Sequence, residues 1–246
     1  MNWFDRRLAA FDIETTGTDI ENDRIVTAAV SVVGGGEDTF SRNWLVDPGV
    51  PIPAEATEVH KITNETVRRE GVAAVEATEE ITRLLADSLA REIPVVAFNA
   101  RFDLTILDRE ARRHGLEPLA DRVGGPDGLL VIDPYVLDKH VVVKRYGRRT
   151  LGVLCEAYDV PLSEAHAADA DALAAARLAW RLGKNFDELQ GLDLFELHEN
   201  QIQWAAEQAR DLQAYFAKNG RDEYIEGAWP VVPFGTAVEF EDRLAA

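Results

Sequence analysis

The chain has 246 residues, 46% of them hydrophobic, which suits one large domain or one domain with an extension. Its 26 Lys and Arg against 44 Asp and Glu give a net charge of −18, which argues against a protein that coats nucleic acid by general phosphate neutralisation. No apolar run reaches the roughly 18 residues a membrane span needs; Cys155 is the single cysteine, excluding an intrachain disulfide or a cysteine zinc site.

With no secretory pattern around Asp5, Arg6 and Arg7, the expected location is cytoplasmic. The acidic balance favours a turnover enzyme that grips a few phosphates locally over a binding module. In chain order, Leu8–Ile13, Arg24–Val33 and Thr39–Val46 read as strands, the last two joined by the turn at Gly34, Gly35 and Gly36. The segment from Asp47 to Pro53 breaks regular structure, and helical pattern follows from about Pro53. Ala74–Arg91 reads as a helix, Ile93–Phe98 as a fully apolar strand, and Phe102–His114 as a helix stopped by Gly115. A turn-rich loop over Asp121–Gly128 precedes a short fifth strand, Leu129–Ile132, ending at Asp133 and Pro134. Helices are expected over Tyr135–Lys144, Leu151–Tyr158, Asp169–Arg181 and about Leu192–Lys218. Three early strands followed by strand–helix alternation imply an α/β protein with a mixed sheet flanked by helices. Ligands of such sheets lie beyond the carboxyl ends of the strands.

Asp12 and Glu14 fall at one such end, and strand alternation puts both side chains on one face. Two adjacent carboxylates repel, so one holds a proton unless a cation lies between them. A divalent metal with oxygen ligands would keep both ionised; taken alone, the pair also fits solvated edge residues or caps. Asp103 falls in the first turn of the helix after the fourth strand, where an acid also compensates the helix dipole. His166 sits in the loop before a late helix and Asp171 near that helix's start, with Asp169 read as dipole compensation. Taken alone, His166 also reads as a solvated loop residue.

Together these residues match a named pattern. Asp12-Ile-Glu14-Thr15-Thr16-Gly17, then Asn99-Ala-Arg-Phe102-Asp103, then His166 followed by Asp171 in an H-x4-D spacing resemble the three motifs of the DEDDh (DnaQ-like) 3′→5′ exonucleases. A family-like segment from Pro51 through His60 and Ile62 lies between the first two motifs, and the resemblance spans roughly residues 7–185. Two departures are Phe98, where many relatives carry histidine, and Lys61, where glycine is frequent.

The resemblance implies an RNase H-like fold with a five-stranded mixed sheet, a domain over residues 1–185 and a C-terminal helical extension over 186–246. It implies two Mg2+ or Mn2+ ions held by Asp12, Glu14, Asp103 and Asp171, with Asp12 bridging and His166 as general base. Thr15, Thr16 and Gly17 are expected against the terminal nucleotide, Phe102 beside a base, and His60, Ile62 and Asn99 around the 3′ end. For Phe102 and Ile62, ordinary core packing stays open. Lys139, Lys144, Arg145, Arg148 and Arg149 form a basic cluster, read either as a solvated face or as contacts to upstream phosphates.

The leading expectation is a 3′→5′ exonuclease that releases nucleoside monophosphates from DNA ends, in proofreading or repair. Its rivals are an oligoribonuclease-like exoribonuclease and a non-catalytic polymerase-associated adaptor. Nucleic acid 3′ ends, DNA ahead of RNA, are the expected partner, and no membrane is. Leu194, Leu197, Trp204, Leu212, Tyr215 and Phe216 give the last helix an apolar side. That side either packs back on the domain or meets a DNA polymerase or a second copy. The Trp229–Phe234 segment is left undecided between the same alternatives.

Overall fold

The structure, a computed structural model, describes residues 2–162 and 167–235. Its strands are β1 (Arg7–Thr15), β2 (Ile25–Gly34), β3 (Phe40–Asp47), β4 (Val72–Ala73), β5 (Val95–Val96) and β6 (Val131–Ile132). Its helices are α1 (Ala54–His60), α2 (Asn64–Glu70), α3 (Ala74–Leu89), α4 (Ala100–Arg113), α5 (Leu119–Arg122), α6 (Pro134–Val141), α7 (Leu151–Ala157), α8 (Ala168–Asn185), α9 (Asp187–Gln190) and α10 (Leu194–Lys218). The strands form one mixed sheet in the order β4-β3-β2-β1-β5-β6. β2 runs antiparallel to both β1 and β3, while β5 and β6 continue the sheet in parallel with β1.

The sheet has six strands where five are expected. The addition, β4, is two exposed residues paired in parallel with Val46 and Asp47 at the sheet edge, too short to leave a periodic signal. The expected strands Ile93–Phe98 and Leu129–Ile132 shrink to two residues each. Pro94 has no N–H to donate, and only its carbonyl joins the ladder, accepting from the Ala9 N–H at 2.9 Å. Tyr135–Lys144 ends early, at Val141, whereas Asp169–Arg181 runs on to Asn185.

The core explains these placements. In α3, Ala77, Ile81, Leu85 and Leu89 recur at helical spacing and are buried. α8 faces β1 and β2 with small residues, among them Ala168, Ala172, Ala175 and Ala179, and the sheet face that carries Asp12 answers with Ala10 and Ala29. Small side chains on both partners let helix and sheet approach closely, which sets how far a side chain at the start of α8 must reach. At the other end of α8, a Cβ on Gly183 would lie 2.5 Å from the Phe4 ring, so only glycine lets the helix pass there.

α10 packs back on the domain through polar anchors as well as Leu194 and Leu197. The Gln201 side chain accepts from the Asp133 N–H at 2.7 Å and donates to the Val131 carbonyl at 3.0 Å. The Val131 N–H donates to His198 Nδ1 at 3.1 Å. The following segment also docks. The Val232 N–H donates to the Thr105 hydroxyl, Arg109 donates to the Val232 carbonyl, and the Phe234 ring lies 4.9 Å from the Arg112 guanidinium. Among the described residues, no helix is long and apolar enough to cross a membrane.

Candidate active site

β1 outruns its parallel neighbour. Its pairing with β5 stops at Ala10 and Val96, so Asp12 and Glu14 project past the end of β5, where α4 begins. Both side chains are half-buried while Ile13 between them is buried, the alternation expected of a strand. The register with β2 slips between Glu14, opposite Thr27, and Thr15, opposite Ile25. Such a bulge re-aims side chains and ends the pairing beside the cleft.

α4 brings in Asp103. The carboxylate of Asp133 caps that helix, accepting the N–H groups of Asn99 and Ala100 at 2.9 Å each, with Asn99 itself in the left-handed region at φ 63°. Asp103 follows in the first turn, 4% exposed, and accepts the Ile13 N–H at 3.2 Å, which ties α4 to β1 between the two β1 acids. Asp171 enters from the first turn of α8. Carboxylate oxygens of Asp12, Glu14 and Asp171 all lie within 4.8 Å of one another. Asp103 stands beside this trio, with one oxygen already committed to the backbone. His166 lies outside the described residues.

The electrostatics are those of buried, mutually repelling acids. Burial, then the charges of Asp103, Asp171 and Glu14, push Asp12 well above the usual carboxylate range. Burial and Asp171 push Glu14 up to about 7. Burial raises Asp103 as well, against the hydrogen bonds that favour its ionised form. Among the described residues, no lysine or arginine forms a salt bridge with Asp12, Glu14 or Asp103. Oxygen-only donors this close together could hold hard divalent cations.

Next to the acids lies a cleft of about 620 Å3 lined by Ile13 through Thr18, Asp23, His60 and Phe102, among others. Of the expected substrate contacts, Thr15, Thr16, Gly17, His60 and Phe102 thus line one cavity. The Thr15 and Thr16 hydroxyls are engaged within the turn, with the Gly17 carbonyl and the Asp23 carboxylate at 2.6 Å each. A Cβ on Gly17 would lie 2.5 Å from that carboxylate, so a side chain there would push Asp23 off the Thr16 hydroxyl. His60 is 6% exposed, and burial lowers its imidazole pKa. Its Nδ1 accepts the Ile62 N–H at 3.1 Å. Lys61 adopts φ 64°, the conformation that makes glycine frequent after such a helix.

Two expected contacts lie elsewhere. Ile62 packs against Val26, Ile52 and Val67, and the exposed Asn99 lines a separate, smaller depression with Arg101, Tyr135 and Lys139. The basic cluster also divides. Arg145 and Arg149 bind the buried Asp138 at 2.6 and 2.9 Å and so serve the fold, while Lys144 and Arg148 are exposed. Sequence reasoning misses Asp23, Asp133 and Asp138. Only Asp133 leaves a local trace, since an acid before Pro134 marks a helix start.

The central strand of the mixed sheet thus carries clustered acids beside an open cleft. The RNase T exonuclease family profile matches residues 9–179, and the chain belongs to that family of exonucleases. Among named relatives, the PolC-type DNA polymerase III of Streptococcus sanguinis is 28% identical over 192 residues, 78% of this chain and 12% of that protein. The Streptococcus agalactiae PolC-type polymerase is 29% identical over 180 residues, 72% of this chain and 11% of that protein. The matched part of the chain therefore spans only 11–12% of the length of these relatives. Escherichia coli exonuclease I in complex with a dT13 oligonucleotide superposes with a TM-score of 0.58 at 20% identity, covering 73% of this chain and 41% of that one. Exonuclease I from Methylocaldum szegediense gives 0.61 at 20% identity, covering 85% and 45%. At this identity the structural likeness concerns the fold.

Proposed function

We propose that this chain is a metal-dependent 3′→5′ exonuclease that removes nucleoside monophosphates from the ends of DNA strands. The observation that carries the reading is the convergence of Asp12, Glu14 and Asp171 within 4.8 Å, with Asp103 alongside and no cation of the described residues paired to the β1 acids. In a member of an exonuclease family, that arrangement calls for divalent ions at the scissile phosphate. Asp12, Glu14, Asp103 and Asp171 would hold two Mg2+ or Mn2+ ions. Such ions, when bound, stabilise the attacking and departing oxygens of an in-line displacement. His166, ahead of Asp171 in the chain, would take the proton from the attacking water, which an imidazole of ordinary pKa near 6.5 does well at neutral pH. Phe102 and the backbone of Thr15–Gly17 would hold the terminal nucleotide, and His60 would close that side of the cleft.

DNA is favoured over RNA by the relatives, which are DNA polymerases, and by a solved neighbour that holds a DNA oligonucleotide. The family-like core would act as the exonuclease domain over residues 1–185, with residues 186–246 as its extension. Work beside a DNA polymerase, in proofreading or repair, extends the same reading. The test is digestion of matched 5′-labelled DNA and RNA strands with Mg2+, Mn2+ or EDTA. A metal-dependent ladder of shortening DNA products supports the proposal, and a ladder on RNA alone turns it to an exoribonuclease. Absence of both leaves the adaptor. His166→Ala is expected to keep metal binding while losing roughly 10²–10⁴ in rate.

A further inference from the structure

α6 and α7 are joined by residues 142–150, whose two faces differ in chemistry. The inward face is fixed. Arg145 and Arg149 both donate to Asp138, which is fully buried, and the Tyr158 hydroxyl donates to the same carboxylate at 2.6 Å. Arg149 also donates to the Val142 carbonyl at 2.6 Å, pinning the loop's end to its beginning. The outward face carries Val143, Lys144, Tyr146 and Arg148, with Tyr146 98% exposed. A ring held that far out contributes nothing to the core, and it stands between two exposed cations on a chain of net charge −18.

The anchored end of the loop lies near the depression at the start of α4. Phe102 lines the cleft, its neighbour Arg101 shares a depression with Tyr135 and Lys139, and Lys139 lies close enough to Arg101 and Arg149 for both to depress its ammonium. Burial is the larger cause of that depression, and Asp133 and Asp211 act against it. Aromatic and cationic side chains, Arg101, Tyr135, Lys139 and Arg149, thus lead from the start of α4 to the anchored end of the loop, with Arg101 also donating to the Glu226 carbonyl. That combination recognises a single strand without regard to sequence, the rings by stacking and the cations by phosphate contact.

We propose that this loop binds single-stranded DNA upstream of the scissile bond, Tyr146 stacking on a base while Lys144 and Arg148 contact phosphates. The inference rests on the exonuclease reading but is tested separately from it. The variant is the triple substitution Lys144→Gln, Tyr146→Ala and Arg148→Gln, all at exposed positions outside the acid cluster. The probes are a fluorescent thymidylate strand of about 12 nucleotides, within the span of common single-strand sites, and the p-nitrophenyl ester of thymidine 5′-monophosphate, which has no upstream nucleotide.

Strand binding, read by anisotropy with Ca2+ in place of the catalytic ion, is expected to weaken roughly tenfold or more. Its log–log salt slope should flatten by about 0.7 for each phosphate that the variant no longer neutralises. KM for the strand should rise in parallel while ester hydrolysis stays unchanged. Strand binding within a factor of about two of the parent would overturn the proposal, as would an equal loss on the ester. Weakened RNA binding with intact DNA binding would overturn the choice of DNA. A parent protein that binds the strand but turns over neither probe would sink the exonuclease reading, and the binding comparison would still judge the loop.

Discussion

Buried carboxylates in this molecule are treated in two opposite ways. Outside the acid cluster, Asp138, Glu110 and Asp108 are matched with positive charge. Asp138 has Arg145 and Arg149 with the Tyr158 hydroxyl, Glu110 has Arg113 and Arg24, and Asp108 has Arg109 and Arg112. At the carboxyl end of β1 the same residue types crowd together, and neither Asp12 nor Glu14 is matched with a cation of the described residues. The chain has guanidinium groups to spare and places several of them within the same α4 helix that carries Asp103. An arrangement that neutralises acids a few residues away and leaves these crowded is suited to a charge supplied from outside. The fold holds the acids together with β1, α4 and α8, and Asp103 itself ties α4 to β1.

The contrast is tested most forcefully at its two poles. Asp12→Asn is expected to lower exonuclease activity by at least ~10³-fold, equivalent to about 4 kcal/mol of transition-state stabilisation. The same variant without metal should melt above the metal-free parent, because a crowded like charge has been removed. Asp138→Asn should do the reverse, costing about 3 kcal/mol in chemical denaturation, since two guanidiniums only 17% exposed lose their shared partner.

A smaller effect belongs to Asp133, which bridges the two regions. It accepts the N–H groups of Asn99, Ala100 and Tyr135 and the Trp229 indole, and burial pushes its pKa up to about 6. Asp133→Asn should cost about 1–2 kcal/mol of stability and lower kcat, because the capped turn of α4 positions Asp103. An unchanged kcat would show that Asp103 keeps its place without the cap.

The gentlest probe is pH. Glu14 titrates near 7 in the folded protein against an ordinary value of 4.5, so the metal-free fold binds the extra proton. Stability from this group is therefore complete below about pH 4.5 and is lost as pH rises through 7. The melting temperature of the metal-free protein should fall across that window, and added Mn2+ should raise it more at pH 7.5 than at pH 5.5. Equal metal effects at both values would argue against the shift.

What is legible in the sequence follows from how local each signal is. The acids of the site lie at element boundaries, where strand alternation and first-turn positions can be read from a few residues, as for Asp12, Glu14 and Asp103. The long amphipathic helices α3 and α10 are legible for the same reason. Other features depend on contacts far along the chain. Asp23 matters because it folds back on Thr16 and Gly17, Asp133 because it meets backbone 34 residues earlier, and Asp138 because it gathers two arginines that otherwise read as a nucleic-acid patch. Ile62 shows the opposite failure, a motif neighbour whose side chain turns to a satellite core. The edge strand β4 escapes because two residues carry no period, whereas β5 and β6 are expected and prove shorter than their apolar runs.

The most direct measurement is calorimetric titration of the metal-free protein with Mn2+ at neutral pH, for the parent and for Asp12→Asn. The parent is expected to bind the ion with release of protons as the crowded carboxyls ionise, and the variant to bind it far more weakly. Indistinguishable titrations, or no uptake of protein-bound Mn2+ by the parent, would refute the claim that the β1 acids are kept crowded for a divalent cation.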